Sequence, residues 1–180
     1  MRKVLGIDPG LTRCGVAVVS GKVINRSKIS HTETIRTSAS QDLDKRIHLI
    51  GHKIKEVIEV HEPSEIALER VFAQANLKSV MGVAQISGVV LFLAAEFNLP
   101  IRFFTPTQVK AAVTGDGRAN KEGVAKMTMT LLGEQEVFDS PDSADAAAVA
   151  LTAIANPSLE SSQATTAQRA WSEAIKRSSK

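Results

Sequence analysis

Four acidic residues stand where carboxylates could be gathered for chemistry. They are Asp8 in Gly6-Ile7-Asp8-Pro9-Gly10, Glu69 in Ala67-Leu68-Glu69-Arg70, and Asp142 and Asp145 in Ser140-Pro141-Asp142-Ser143-Ala144-Asp145. The first two each end a short apolar, strand-like run. The last two open an alanine-rich helix three residues apart, a spacing that puts both side chains on one helical face. Carboxylates brought together repel one another and do not all stay ionised without compensation. Hard divalent cations supply it: oxygen-rich sites select Mg²⁺ or Mn²⁺, and two such ions roughly 4 Å apart catalyse in-line displacement at phosphate. Taken singly, Asp8 also fits an Asp-Pro-Gly turn, and Asp142 and Asp145 fit acids that complement a helix dipole. Glu69 is harder to read that way, because Ile66, Ala67 and Leu68 describe a buried strand and a buried carboxylate needs partners. Taken together, the four point to a metal-dependent nuclease.

The elements that must position these residues follow from periodicity. Lys3–Ile7, Cys14–Val19 and Lys22–Ile29 read as three successive strands, the third extensible through Thr37, with turns at Gly10 and Gly21. Leu43, Ile47, Ile50, Ile54, Val57 and Ile58 keep a helical period across Gln41–Val60. A strand over Glu65–Leu68, a long helix over Leu77–Phe97 and a strand over Ile101–Phe104 come next. Helices over Pro106–Val113 and Lys121–Leu132 then flank a polar loop. A last helix starts near Pro141, capped by Ser140, and ends before Asn156-Pro157. The expected fold is α/β: a mixed five-stranded sheet, three antiparallel strands and then parallel ones, with helices on both faces and Asp8 on the central strand.

Length and composition narrow the class. The 180 residues suit one domain over 1–156, with residues 157–180, rich in Ser, Thr, Gln and Ala, as a flexible C-terminal tail. One cysteine, Cys14, excludes an internal disulfide framework and suits a reducing, cytoplasmic setting. The N-terminus reaches Asp8 too soon for a signal peptide, and Val80–Ala95 is too short and polar to span a bilayer. A net charge of +3 permits nucleic-acid binding without demanding it. His48 and His52 stand four apart without a third ligand, as on a solvated helix face.

The motifs resemble those of the RuvC-type Holliday-junction resolvases, within the ribonuclease-H-like superfamily. The matching pieces are Gly6-Ile7-Asp8-Pro9-Gly10-Leu11-Thr12-Arg13-Cys14-Gly15, Glu69-Arg70-Val71-Phe72, Thr105-Pro106-Thr107-Gln108-Val109-Lys110 with Ala112-Val113-Thr114-Gly115, and Asp142-Ser143-Ala144-Asp145-Ala146. The resemblance implies a crossover junction endodeoxyribonuclease with Asp8, Glu69, Asp142 and Asp145 as catalytic metal ligands. It implies a Mg²⁺ cofactor, two ions per site with Mn²⁺ able to substitute. It further implies a homodimer on four-way DNA junctions that nicks two strands of like polarity and works with the RuvA–RuvB branch-migration machinery.

With that match, DNA contact is expected at Lys110, Arg118 and Lys121 around the polar loop, and base stacking at Phe72. A dimer face is expected on the long helix at Val80, Ala84, Ser87 and Leu91, because that helix is apolar over more than one face. Two other readings stay open on the sequence. Asp8-Pro9-Gly10-Leu11-Thr12 also fits the phosphate loop of sugar-kinase and actin-like ATPases, although 180 residues leave no room for their second domain. The other is a junction-binding module without catalysis, against which the four acids stand.

Overall fold

In a computed structural model of the chain, residues 1–70, 77–133 and 138–157 are described. Five strands form one sheet: β1 (Arg2–Asp8), β2 (Arg13–Gly21), β3 (Lys28–Arg36), β4 (Glu65–Glu69) and β5 (Ile101–Phe104). Their order is β3-β2-β1-β4-β5, so β1 is central. β1 pairs antiparallel with β2, and β2 with β3, whereas β1–β4 and β4–β5 are parallel. The five longer helices are α1 (Leu43–His61), α2 (Leu77–Glu96), α3 (Pro106–Thr114), α4 (Lys121–Leu132) and α5 (Pro141–Ala155).

Strand alternation sorts the core into two layers. Leu5, Ile7, Val16, Val18, Ile66 and Leu68 pack under α1 and α2. Val4, Ala17, Val19 and Ala67 face α5, over which α3 and α4 lie. By the same period of two, Gly6 and Asp8 on β1 and Glu69 on β4 point to the α5 side. The side that receives Asp8 and Glu69 is therefore fixed by which residues of their strands are apolar.

The third strand departs from the sequence expectation. Residues Lys22–Ser27 make no strand; Ile24–Arg26 turn as a 3-10 segment, and pairing resumes at Lys28. The Ser27 hydroxyl donates to the Val23 carbonyl, and its amide to that of Ile24, closing a turn that extended pairing cannot supply. The strand that forms is the expected extension towards Thr37, with a bulge opposite Val18/Val19. Leu43, expected on the apolar face of α1, is 46% exposed because it sits in the helix's first turn, beyond the edge of the core. The tail expected over 157–180 lies, from residue 158, outside the described residues. Among the described residues no helix is long and apolar enough to cross a membrane.

Glycine governs how close α5 comes. A Cβ on Gly15 would stand 1.9 Å from the Asp142 carbonyl oxygen, and one on Gly6 2.1 Å from that of Ala146. Both neighbours are backbone, which has nowhere to move. Gly15→Ala is expected to lower stability by about 3 kcal/mol or more, near 10 °C in melting temperature for a chain of this size. Gly88→Ala, where a Cβ meets nothing within 4 Å, should leave it unchanged or raise it slightly. Equal melting curves for the two variants would show that α5 does not press on the sheet.

Candidate active site

The site is built where three elements end or begin. Asp8 is the last residue of β1 and Glu69 the last of β4. The strands run parallel in register, Ile7 beside Leu68, so the two carboxyls emerge side by side at one sheet edge. Asp142 and Asp145 occupy the first turns of α5, whose start is tightly specified. Ser140 accepts from the Asp142 amide at 3.2 Å, Ser143 closes a reciprocal capping box, and Pro141 takes the first turn. The start is also tied to the sheet: Thr34 on β3 donates through its amide and hydroxyl to Asp139, at 3.2 and 3.1 Å.

Burial and mutual repulsion make this centre reluctant to hold charge. Burial, then the neighbouring Asp145 and Asp142, push the Asp8 carboxyl up to about 7. Burial, then Asp8 and Asp145, push Glu69 up to about 8. Asp145 is also raised, burial outweighing the hydrogen bond it receives from Lys121. Two cations partly compensate. Lys121, the first residue of α4, places Nζ 2.7 Å from Asp145 Oδ2, and Arg13 places Nε 3.1 Å from Asp142 Oδ2. The donor set is oxygen only, which suits hard divalent ions rather than softer metals. With the side chains drawn to Lys121 and Arg13, among the described residues no three His, Cys, Asp or Glu groups converge closely enough to hold a metal.

The cations expected at the polar loop separate. Lys110 on α3 and Lys121 on α4 line a cavity of about 270 Å³ together with Glu69 and Asp145. Asn120 caps α4 by accepting from the Gly123 amide at 2.8 Å. Lys121 thus turns into the carboxylate cluster. Arg118 stays exposed in the loop and lines neither this cavity nor the one beside Asp8. Its amide donates to Asp116 Oδ1 at 2.8 Å, so that acid shapes the turn.

On α2, Val80, Ala84 and Ser87 line an apolar recess of about 210 Å³ with Phe103, beside Glu69 and Arg70. Leu91 and its neighbour Phe92 are 43% and 67% exposed. Phe72 lies outside the described residues. His48 and His52 are exposed and stacked, and His52 faces Glu56 at 3.2 Å.

Sequence reasoning missed Arg13 and Arg46. Both stood in view, Arg13 within the first motif, but only the folded turn brings them to the wall of the cavity that contains Asp8.

A sheet of this order, with acids at the ends of β1 and β4 and on α5, defines a ribonuclease-H-like protein. The family model for the crossover junction endodeoxyribonuclease RuvC matches residues 4–153. The chain belongs to that family. It is 44% identical to a RuvC of Paenarthrobacter aurescens over 96% of this chain and 94% of that one. It is 48% identical to a RuvC of Clavibacter michiganensis over 84% and 75%. The structure superposes on T. thermophilus RuvC in complex with a Holliday junction substrate with a TM-score of 0.80. The identity there is 35%, over 84% of this chain and 92% of that one. This membership displaces the kinase-like reading of Asp8-Pro9-Gly10-Leu11-Thr12.

The raised carboxyls predict a pH dependence of metal-free stability. Asp8 and Glu69 hold protons more tightly folded than unfolded, so their favourable contribution is full below about pH 4 and is lost as pH rises through about 7 to 8. Asp8→Asn and Glu69→Gln should therefore melt above wild type at pH 8.5 in chelator, and the gap should close towards pH 5. A gap that does not vary with pH would show that these carboxyls titrate normally.

Proposed function

We propose that the chain is a structure-selective DNA endonuclease that resolves four-way junctions, in recombination and repair, by nicking two strands of like polarity. One observation carries the reading. Four carboxylates stand at the ends of adjacent strands and the start of α5, in a chain that aligns along most of its length with a RuvC solved on a junction. In this reading Asp8, Glu69, Asp142 and Asp145 are catalytic and would hold two Mg²⁺ ions, with Mn²⁺ able to substitute. When bound, the ions would supply a hydroxide nucleophile at neutral pH and stabilise the leaving 3′ oxygen.

The protein's own groups do the rest. The parallel register of β1 and β4 fixes the Asp8–Glu69 spacing. The glycine contacts seat Asp142 and Asp145 above it, so little reorganisation remains for the reaction itself. Lys110 and Lys121 draw the phosphate to a centre that is otherwise negative. Arg118 would meet backbone phosphate further out, and Phe72 would stack on a base exposed at the crossover. A junction has near two-fold symmetry, so two strands are cut in step when two copies present matched sites. The homodimer is assigned to the face of Val80, Ala84, Ser87 and Leu91. Partnership with RuvA–RuvB and a cytoplasmic location follow from the family resemblance.

Cleavage of a synthetic four-way junction beside a matched linear duplex tests the activity. Asp8→Asn should abolish cutting in Mg²⁺ while leaving junction affinity intact or raised, because losing negative charge does not weaken attraction to phosphate. An Asp8→Asn protein that cuts at the wild-type rate would sink the assignment. Ala84→Asp should bury unpaired charge twice across the two-fold, at a cost of several kcal/mol. Sedimentation should then show monomer; an intact dimer would move the interface elsewhere.

A further inference from the structure

Two of the cavities that the carboxylates line share no lining residue. The first holds Glu69 and Asp145 with Lys110 and Lys121. The second, an open cavity of about 700 Å³, lies on the β1–β2 side and holds Asp8 and Asp142 with Gly10, Thr12, Arg13 and Arg46. Each thus pairs two acids with two cations. Positive charge that could meet a phosphodiester strand stands on both flanks of the centre.

The two arginines differ in how they are held. Arg13 is 61% exposed and engaged with Asp142. Arg46, on the first turn of α1, is half-buried and oriented by hydroxyls. Its Nε donates to Thr37 Oγ1 at 2.9 Å and its Nη2 to Thr12 Oγ1 at 3.0 Å. Those threonines are themselves fixed, since Thr37 donates through its hydroxyl to the Leu11 carbonyl at 2.5 Å and through its amide to that of Thr12 at 3.0 Å. Two of the five guanidinium N–H groups are used, which leaves three without a protein acceptor among the described residues. None of the ion pairs among those residues includes it, although Asp8 and Asp142 share the cavity wall. A rigid, unpaired guanidinium fork matches the geometry of a phosphate.

We propose that Arg46, held by Thr12 and Thr37, is a second phosphate subsite. It takes a backbone phosphate flanking the scissile one, so that the cleaved strand runs from Lys110 and Lys121, past the four carboxylates, to Arg46. This rests on the nuclease reading above. Arg46 is then a binding residue for the strand, and its threonine contacts aim it.

The competing role is a staple that joins the Gly10–Arg13 turn to the end of β3. Charge and hydrogen-bond geometry separate the two. Full-length protein is titrated with a synthetic four-way junction in Ca²⁺ across a salt series, and melting curves are recorded in parallel. Arg46→Gln should flatten the slope of log affinity against log salt by about 0.9 for each subunit engaged. Arg46→Lys keeps the charge and loses the fork, and should keep the wild-type slope even where its melting temperature falls. Thr12 is exposed, so Thr12→Val folds whatever Arg46→Gln does. It should weaken binding roughly three- to tenfold with the slope unchanged. A wild-type slope in Arg46→Gln, or wild-type affinity in Thr12→Val, overturns the subsite and leaves the nuclease reading standing. Wild-type protein that does not bind the junction overturns both.

Discussion

The structure depends on a backbone-to-backbone contact between α5 and the two central strands. Gly15 and Gly6 carry no side chain, so the carbonyls of Asp142 and Ala146 descend to where a Cβ would otherwise stand. Alanines on the helix, including Ala146, Ala147 and Ala150, keep the separation small along the shared length. The residue whose carbonyl makes the tighter contact, Asp142, also bears one of the four carboxyls. Its distance from Asp8 is therefore set by main chain resting on main chain. That suits a centre whose chemistry tolerates little looseness, because long side chains would spend rotamer entropy to reach the same place.

Such a centre is costly, and its cost is met far from it. Asp8 and Glu69, pushed to about 7 and 8, mark burial first and mutual repulsion second, which Lys121 relieves only in part at both and Arg13 at Asp8. Stability comes from the two apolar layers, one under α1 and α2 and the other enclosing α5 almost completely between the sheet and α3–α4. At the other end of the sheet Glu65 accepts from Arg2 and Arg102, and Arg102 also donates to the carbonyls of Ala153 and Asn156. A buried ion pair of this kind contributes little net stability, since desolvation consumes the Coulombic gain. Its effect is positional. It holds the C-terminal end of α5 in register with β4 and β5, while Thr34, Asp139 and the capping box hold the N-terminal end.

The sequence made most of this legible, for identifiable reasons. The apolar runs before Asp8 and Glu69 forecast that both acids end strands, with Asp8 on the central one, and Ser140-Pro141 forecast where α5 starts. What escaped were features fixed by side chains meeting across long separations. The turn over Lys22–Ser27 looked like strand because Val23 and Ile24 are β-branched, while the decisive contacts, Ser27 to Val23 and Ile24, are made by polar atoms. Lys121 is expected from the sequence as a DNA contact at a helix start; its ion pair with Asp145 becomes visible only once α4 packs on α5. Arg46 had no motif to mark it, because its hydroxyl partners come from Thr12 and Thr37, on either side of the β2–β3 hairpin.

The place of α2 links assembly to chemistry. Its inner face, with Ile86, Val90, Leu93 and Ala94, completes the layer beneath the sheet. Its outer face meets the end of β4 at the recess that holds Glu69 and Arg70. The Arg70 amide donates to Phe104 at 2.7 Å and its guanidinium lies over the Phe103 ring at 5.3 Å, so the chain leaving Glu69 is tied to β5 before it reaches α2. In a dimer joined through Val80, Ala84, Ser87 and Leu91, the interface would sit one strand-end away from each carboxylate centre. The separation of the two centres would then be fixed by a short, rigid path through β4 and α2. A symmetric substrate with two phosphates to be cut at a set separation requires such a path.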